Sequence, residues 1–174
     1  MSGARRQEAP ARGDFETALA DSDLLEIRVW LRLLTCTNLV ERRIRRNLRA
    51  DFDITLPRFD LLAQLQRAPE GLTMGALSRR LMVSNGNVTG LIERLAGEGL
   101  VDRQAAPGDR RTQLVRLTDA GERALVDMLP VHHRWVAAMF AGLDRDEMTT
   151  LLDLLARLKQ SLAEDGEPID GDNT

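Results

Sequence analysis

The chain has 174 residues, with 24 Lys and Arg against 27 Asp and Glu, two histidines, one cysteine and no tyrosine. That length buries one good core, or a small domain plus a dimerisation layer, and the net charge of −3 argues against a uniformly basic nucleic-acid coat. Lone Cys36 excludes an internal disulfide framework and suits a reducing cytoplasm, and the chain lacks both an apolar run of about 18 residues for a membrane span and a signal-peptide core.

Residues 1–20, opening MSGARRQEAPARGD, read as a disordered arm. Residues 21–54 read as a dimerisation segment, with a long helix over 22–50. Leu24, Ile27, Trp30, Leu31, Leu34, Val40, Ile44 and Leu48 give it apolar character. Arg42, Arg43, Arg45, Arg46 and Arg49 form either a solvated face or a surface against DNA or an anionic ligand. Cys36 lies mid-helix among Leu33, Leu39 and Val40, which assigns it to packing as a small hydrophobe.

Residues 55–118 read as a DNA-binding lobe. In LPRFDLLAQLQRA (56–68), Pro57 suits a first helical turn, and Phe59, Leu62 and Leu65 recur at helical spacing. LTMGALSRRLMV (72–83) reads as a short edge strand, then a helix capped by Thr73 with Leu77, Leu81 and Met82 buried. Residues 81–84 turn into the next helix. Ser84 is its expected N-cap. Val88, Leu91, Ile92 and Leu95 fall at i, i+3, i+4 and i+7 and predict one buried stripe. The opposite face carries Asn85, Asn87, Thr89, Gly90 and Arg94. Gly99 sits where a left-handed residue ends a helix. Asn can read an adenine edge with two hydrogen bonds, and Thr can bond a phosphate or touch a thymine methyl. The plainer reading is a solvated helix start.

The next stretch weighs against that plainer reading. Val101 and Arg103 begin a strand, Pro107-Gly108 is a turn pair, and TQLVRL has the alternation of a returning strand. Asp109, Arg110 and Arg111 fall at the tip. Two guanidinium groups there suit a minor groove, with Asp109 able to hold one in place. Helix, turn, helix and basic hairpin make a winged helix-turn-helix, mainly α with a small β wing. From Met74 to Arg116, seven arginines oppose four acids, so the local charge is +3.

Thr118 is the expected cap of a helix running to about Gly142 and kinked at Pro130. A last amphipathic helix over 145–164 carries Met148, Leu151, Leu152, Leu155 and Leu158. Residues 119–164 thus read as C-terminal dimerisation helices, and 165–174 as a disordered acidic tail. From Gly142 onward nine acids oppose three basic residues. The terminal helices have more apolar surface than a wing domain covers. A homodimer would bury it and set two recognition helices about one DNA turn apart.

No enzyme site is marked. Adjacent His132 and His133 point about 100° apart on a helix and do not converge on one metal. No phosphate loop or nucleophile elbow is visible. No catalytic residue, metal or cofactor is expected.

Residues 55–122 resemble the MarR family of bacterial transcription regulators. The likeness rests on SNGNVTGLIERLAGEGLV, on Asp109–Arg111 of the wing, and on VRLTDAGE (Val115–Glu122). The wing D-x-R followed by L-T-x-x-G is its most specific part, and flanking helices extend it over about 22–164. The resemblance implies a cytoplasmic homodimer on pseudo-palindromic double-stranded DNA. It also implies repression relieved by a small ligand or by oxidation. Ser84, Asn85, Asn87, Thr89, Arg94, Asp109, Arg110 and Arg111 are the DNA-binding candidates. Gly90 departs from the larger, often basic residue of many relatives, which shifts base readout to Asn85 and Asn87.

The same resemblance places effector pockets between the dimerisation helices and the DNA lobe. Trp30, Asn38, Arg58, Phe59 and His133 are the candidates, with Trp30 and Phe59 more often plain core. LPRFDLLAQL with RRLMVSNGNVTGLIERL is similar to regulators of hydroxycinnamate and related aromatic-acid catabolism. That implies a phenolic acid or its acyl-CoA thioester as effector, with the arginines of the first helix meeting CoA phosphates. The alternatives are a cysteine-based redox repressor, which the lack of tyrosine disfavours, and a helical adaptor that binds protein instead of DNA.

Overall fold

Helix-forming periodicity governs residues 25–66 and 119–164, and a short sheet lies between them. The computed structural model describes residues 24–81, 84–106 and 109–164. Two units meet between Arg46 and Asn47.

In the first unit, helix α1 (Leu25–Phe52) begins. It runs a few residues later than the expected 22–50. Leu24, Leu25, Ile27, Trp30 and Leu34 are exposed, so this chain alone leaves apolar surface in water. Arg45 pairs with Glu41 at 2.9 Å, an exposed i,i+4 contact of the kind that contributes only a few tenths of a kcal/mol. Cys36 is exposed too. The expected apolar packing around it is not supplied, because neighbouring Leu39 also points to water.

The second unit holds the rest of α1, then α2 (Leu56–Gln66), β1 (Leu72–Thr73), α3 (Met74–Leu81), α4 (Asn85–Gly97), β2 (Val101–Ala106), β3 (Asp109–Leu117), α5 (Asp119–Met139) and α6 (Arg145–Glu164). Asp53 ends α1 by taking φ 48°, a left-handed conformation that Asp tolerates better than most residues. Pro57 sits in the first turn of α2, where its missing N–H leaves no gap. Phe59, Leu61, Leu62 and Leu65 of α2 are buried, and α2 packs on α3, α4, α5 and β3. Leu48, Ile54, Leu72, Leu77, Val88, Ile92, Leu95, Val101, Val115, Leu125 and Met128 are buried with them. Leu81 and Leu91, expected inside, are half-buried at its edge.

The sheet is antiparallel, in the order β1-β3-β2. Leu72 pairs with Val115, and Val101 with Leu117 through to Ala105 with Gln113. A register shift follows, and Ala106 pairs with Asp109. The expected turn pair Pro107-Gly108 lies outside the described residues, as does Met82. Asp109, Arg110 and Arg111 belong by backbone to β3 rather than to the loop. The arrangement is a winged helix-turn-helix. α5 is one continuous helix through Pro130 and ends at Met139, three residues before the expected stop. α6 leaves Leu152, Leu154, Leu155, Leu158 and Leu162 exposed.

Candidate nucleic-acid interface

The interface is assembled from caps. Thr73 Oγ1 accepts from the Ala76 amide at 3.2 Å and starts α3. Ser84, in extended conformation, accepts from the Asn87 amide at 3.4 Å and starts α4. Val88, Ile92 and Leu95 fix the inner face of α4, so its outer face is set by the 3.6-residue period. Gly86, Asn87 and Arg94 are exposed there, and Thr89 is half-buried. Asn85 is the first residue of α4. At the other end Gly99, with φ 72°, closes the helix through Gly99 N to Ala96 O and Leu100 N to Leu95 O, both 2.9 Å. Arg79 and Arg80 are exposed on the last turn of α3, a pair of cations not singled out from the sequence. Their spacing beside a turn into a recognition helix was the available signal.

Beyond Gly99 the chain becomes the β2–β3 hairpin. The ladder from Val101 to Ala105 holds it, so the backbone of Asp109, Arg110 and Arg111 is carried on strand β3. One arginine counted in the positive lobe is spoken for. Arg116 Nε donates to the Glu70 carbonyl at 2.9 Å, and its guanidinium lies 3.6 Å from the Glu70 carboxylate. Gly71, at φ 89°, makes room for this: a Cβ there would lie 2.8 Å from Arg116 Cγ and 3.0 Å from the Val115 carbonyl. Arg116 therefore joins the α2–β1 loop to the sheet and adds little to a DNA-facing charge.

The five effector candidates fall in different settings. Trp30 and Asn38, in the first unit, are exposed. In the second unit, the Arg58 guanidinium donates to Glu98 at the end of α4. That side chain is only 17% exposed, and its Nε is buried with no protein partner among the described residues. Phe59 is core. Its ring packs against His132 at a tilt of 36°, ring centroids 4.8 Å apart. His133 is exposed; its neighbour His132 is the histidine turned inward. Trp135 lies 6.4 Å from the His132 ring and 6.0 Å from Phe52. His132, Trp135 and Phe52 were missed from the sequence, although His132 and Trp135 share a face at i, i+3. Burial, and then the nearby charge of His133, lowers the His132 pKa below 6.5, and its Nδ1 is buried with no partner among the described residues.

A cavity of about 300 Å³ lies elsewhere, lined by Leu65, Gln66, Asp102, Gln104, Arg116 and Glu122 among others. Its two carboxylates, with Arg116 already paired, have the wrong sign for an acidic effector. Among the described residues no three His, Cys, Asp or Glu side chains gather to hold a metal ion. No helix among them is long and apolar enough to cross a membrane.

A family model described as the MarR family matches residues 52–112. An HTH-type transcriptional regulator of Bacillus cereus is 30% identical over 131 residues, covering 75% of this chain and 86% of the relative. The crystal structure of a MarR family transcriptional regulator from Silicibacter pomeroyi is 33% identical with a TM-score of 0.69, covering 83% of this chain and 99% of that one. A MarR family transcriptional regulator from Streptomyces coelicolor, solved in complex with DNA, is 26% identical with a TM-score of 0.71, covering 82% and 92%.

Proposed function

Since this chain belongs to the MarR family of helix-turn-helix, DNA-binding transcriptional regulators, we propose that it is a homodimeric repressor of a pseudo-palindromic operator, released by a small aromatic acid or its CoA thioester. One observation carries the DNA part. Helix α4 is capped at Ser84, inserted in the core by Val88, Ile92 and Leu95, and polar on its exposed first turn beside an arginine-bearing hairpin. Such a helix enters a major groove by its N-terminal turn, while the hairpin lies alongside. Ser84, Asn87 and Thr89 then supply phosphate and base contacts with Asn85, and Arg110 and Arg111 supply the wing contacts.

Support for the dimer comes from leucines left exposed on α6 and at the start of α1. Support for an aromatic effector comes from His132 and Trp135, half-buried rings of the second unit that lie 6.4 Å apart, with His132 backed by the core ring of Phe59. Arg42, Arg43 and Arg46, exposed on α1, suit the phosphates of a CoA moiety.

The test is a mobility shift on duplexes selected by the protein from a random library, repeated across a salt series. A regulator that neutralises several phosphates loses affinity steeply with salt, whereas a protein-binding adaptor shows no such slope. Adding hydroxycinnamates and their CoA thioesters to the bound complex should then free the DNA. A second reading, redox control, is favoured by the exposure of Cys36. Peroxide release of the wild type but not of Cys36→Ser would establish it in place of the small-molecule effector.

A further inference from the structure

The junction from Leu117 to Gly121 ties the end of α4 to the start of α5 more closely than a helix cap requires. The Thr118 hydroxyl accepts from the Gly121 amide at 3.1 Å, which is ordinary N-capping. The same hydroxyl donates to the Gly99 carbonyl at 2.6 Å, and the Thr118 amide donates to the Leu100 carbonyl at 3.1 Å. Gly99 and Leu100 are the residues that terminate α4. Gly121 is buried, and a Cβ on it would collide with the Leu100 carbonyl oxygen and meet Leu117 Cδ2 at 3.2 Å. Glycine is needed here for close approach, since its φ is not in the left-handed region. Thr and Gly three residues apart thus clamp one helix end onto another.

We propose that Thr118 and Gly121 form a latch that sets the direction of α4 relative to α5, and so the distance between the two DNA-reading helices of the dimer. The proposal rests on the DNA-binding dimer described above. α4 has 13 residues and is about 20 Å long, so a tilt of about 10° at the latch moves its far end by about 3 Å, close to one base-pair rise. α5 runs on 21 residues from the latch toward α6, and the leucines exposed on α6 are those that dimer would bury. An error in angle at Thr118 therefore emerges as an error in half-site spacing. Thr118 and Gly121 are positioning residues and touch no DNA themselves.

The experiment uses the duplexes the wild type selects from a random library, remade with the central spacer one or two base pairs longer or shorter. Thr118→Ser keeps the hydroxyl, Thr118→Val keeps the shape without it, and Gly121→Ala pushes on the Leu100 carbonyl. Wild type and Thr118→Ser should prefer the selected spacing by about tenfold or more. Thr118→Val and Gly121→Ala should flatten or shift that preference while keeping the wild-type salt slope. Unchanged spacing profiles, or an equal loss at every spacing, would overturn the latch. If Gly121→Ala does not fold, Thr118→Val, which changes little volume, decides alone. A wild type that enriches no sequence removes the DNA-binding reading itself, and the latch with it.

Discussion

Arg111 is the side chain on which wing recognition is expected to turn. Its backbone is carried by β3 beside the hairpin turn, and a guanidinium there meets the strong negative potential of a narrow minor groove. Arg111→Ala should weaken binding to selected DNA by about 1–3 kcal/mol in fluorescence anisotropy at physiological salt, with unchanged circular dichroism. His132 makes a prediction about pH. Its pKa is lowered in the folded protein by burial and then by His133, so in the unfolded chain it takes up a proton first. The stability it contributes is full above the unfolded value of 6.5 and is lost as pH falls from there toward the folded pKa. Thermal melts from pH 7.5 to pH 5 should show a smaller acid loss for His132→Gln than for the wild type; parallel curves would contradict this. The residue scale is also where the sequence is least legible. His133, the effector candidate beside Pro130, is exposed, and helical phase turns His132 onto Phe59; a 100° step between neighbours cannot be assigned to core or solvent without knowing what α5 packs on.

At the scale of the element, local signals carried most of the fold. Ser84, Thr73 and Thr118 each cap the helix expected of them because a hydroxyl one residue before a helix meets its free amides by construction. Gly99 is the sharpest case: φ 72° with no atom within 4 Å of an added Cβ. Gly99→Ala should therefore cost about 1–2 kcal/mol from backbone strain alone, read as a lower urea midpoint at unchanged m-value. A loss well above that range would mean the Cβ meets something the junction hides. Helix ends were less legible. α1 overruns to Phe52 and stops at Asp53, a left-handed Asp where pattern favours glycine, and Ile54 N closes the helix end locally onto Leu48 O at 3.3 Å. The commitment of Arg116 to Glu70 was hidden for a similar reason: it depends on Gly71 bringing a loop 46 residues distant under the β3 side chain.

For the whole molecule, the leucines exposed on α6 are the surface that the proposed dimer would bury. Deleting residues 145–174 should give monomer or aggregate in light scattering, where the intact chain gives a dimer; a well-behaved dimer after deletion would refute the assignment. Cys36→Ser should keep DNA binding and effector release, measured by the same mobility shift with and without peroxide. The winged-helix class, the capped recognition helix and the basic hairpin were readable in the amino-acid order, because periodicity, caps and turn residues act within a few positions of one another. The pairing of Arg58 with Glu98, the Phe59–His132 ring contact and the clamp of Thr118 on Gly99 were not, although every residue involved was in view. Each joins groups about 20 to 70 positions apart, and the contact exists only once α2, α4 and α5 have packed around Leu62, Ile92 and Leu125. Local chemistry chose the elements; the shared core chose which of their polar groups meet.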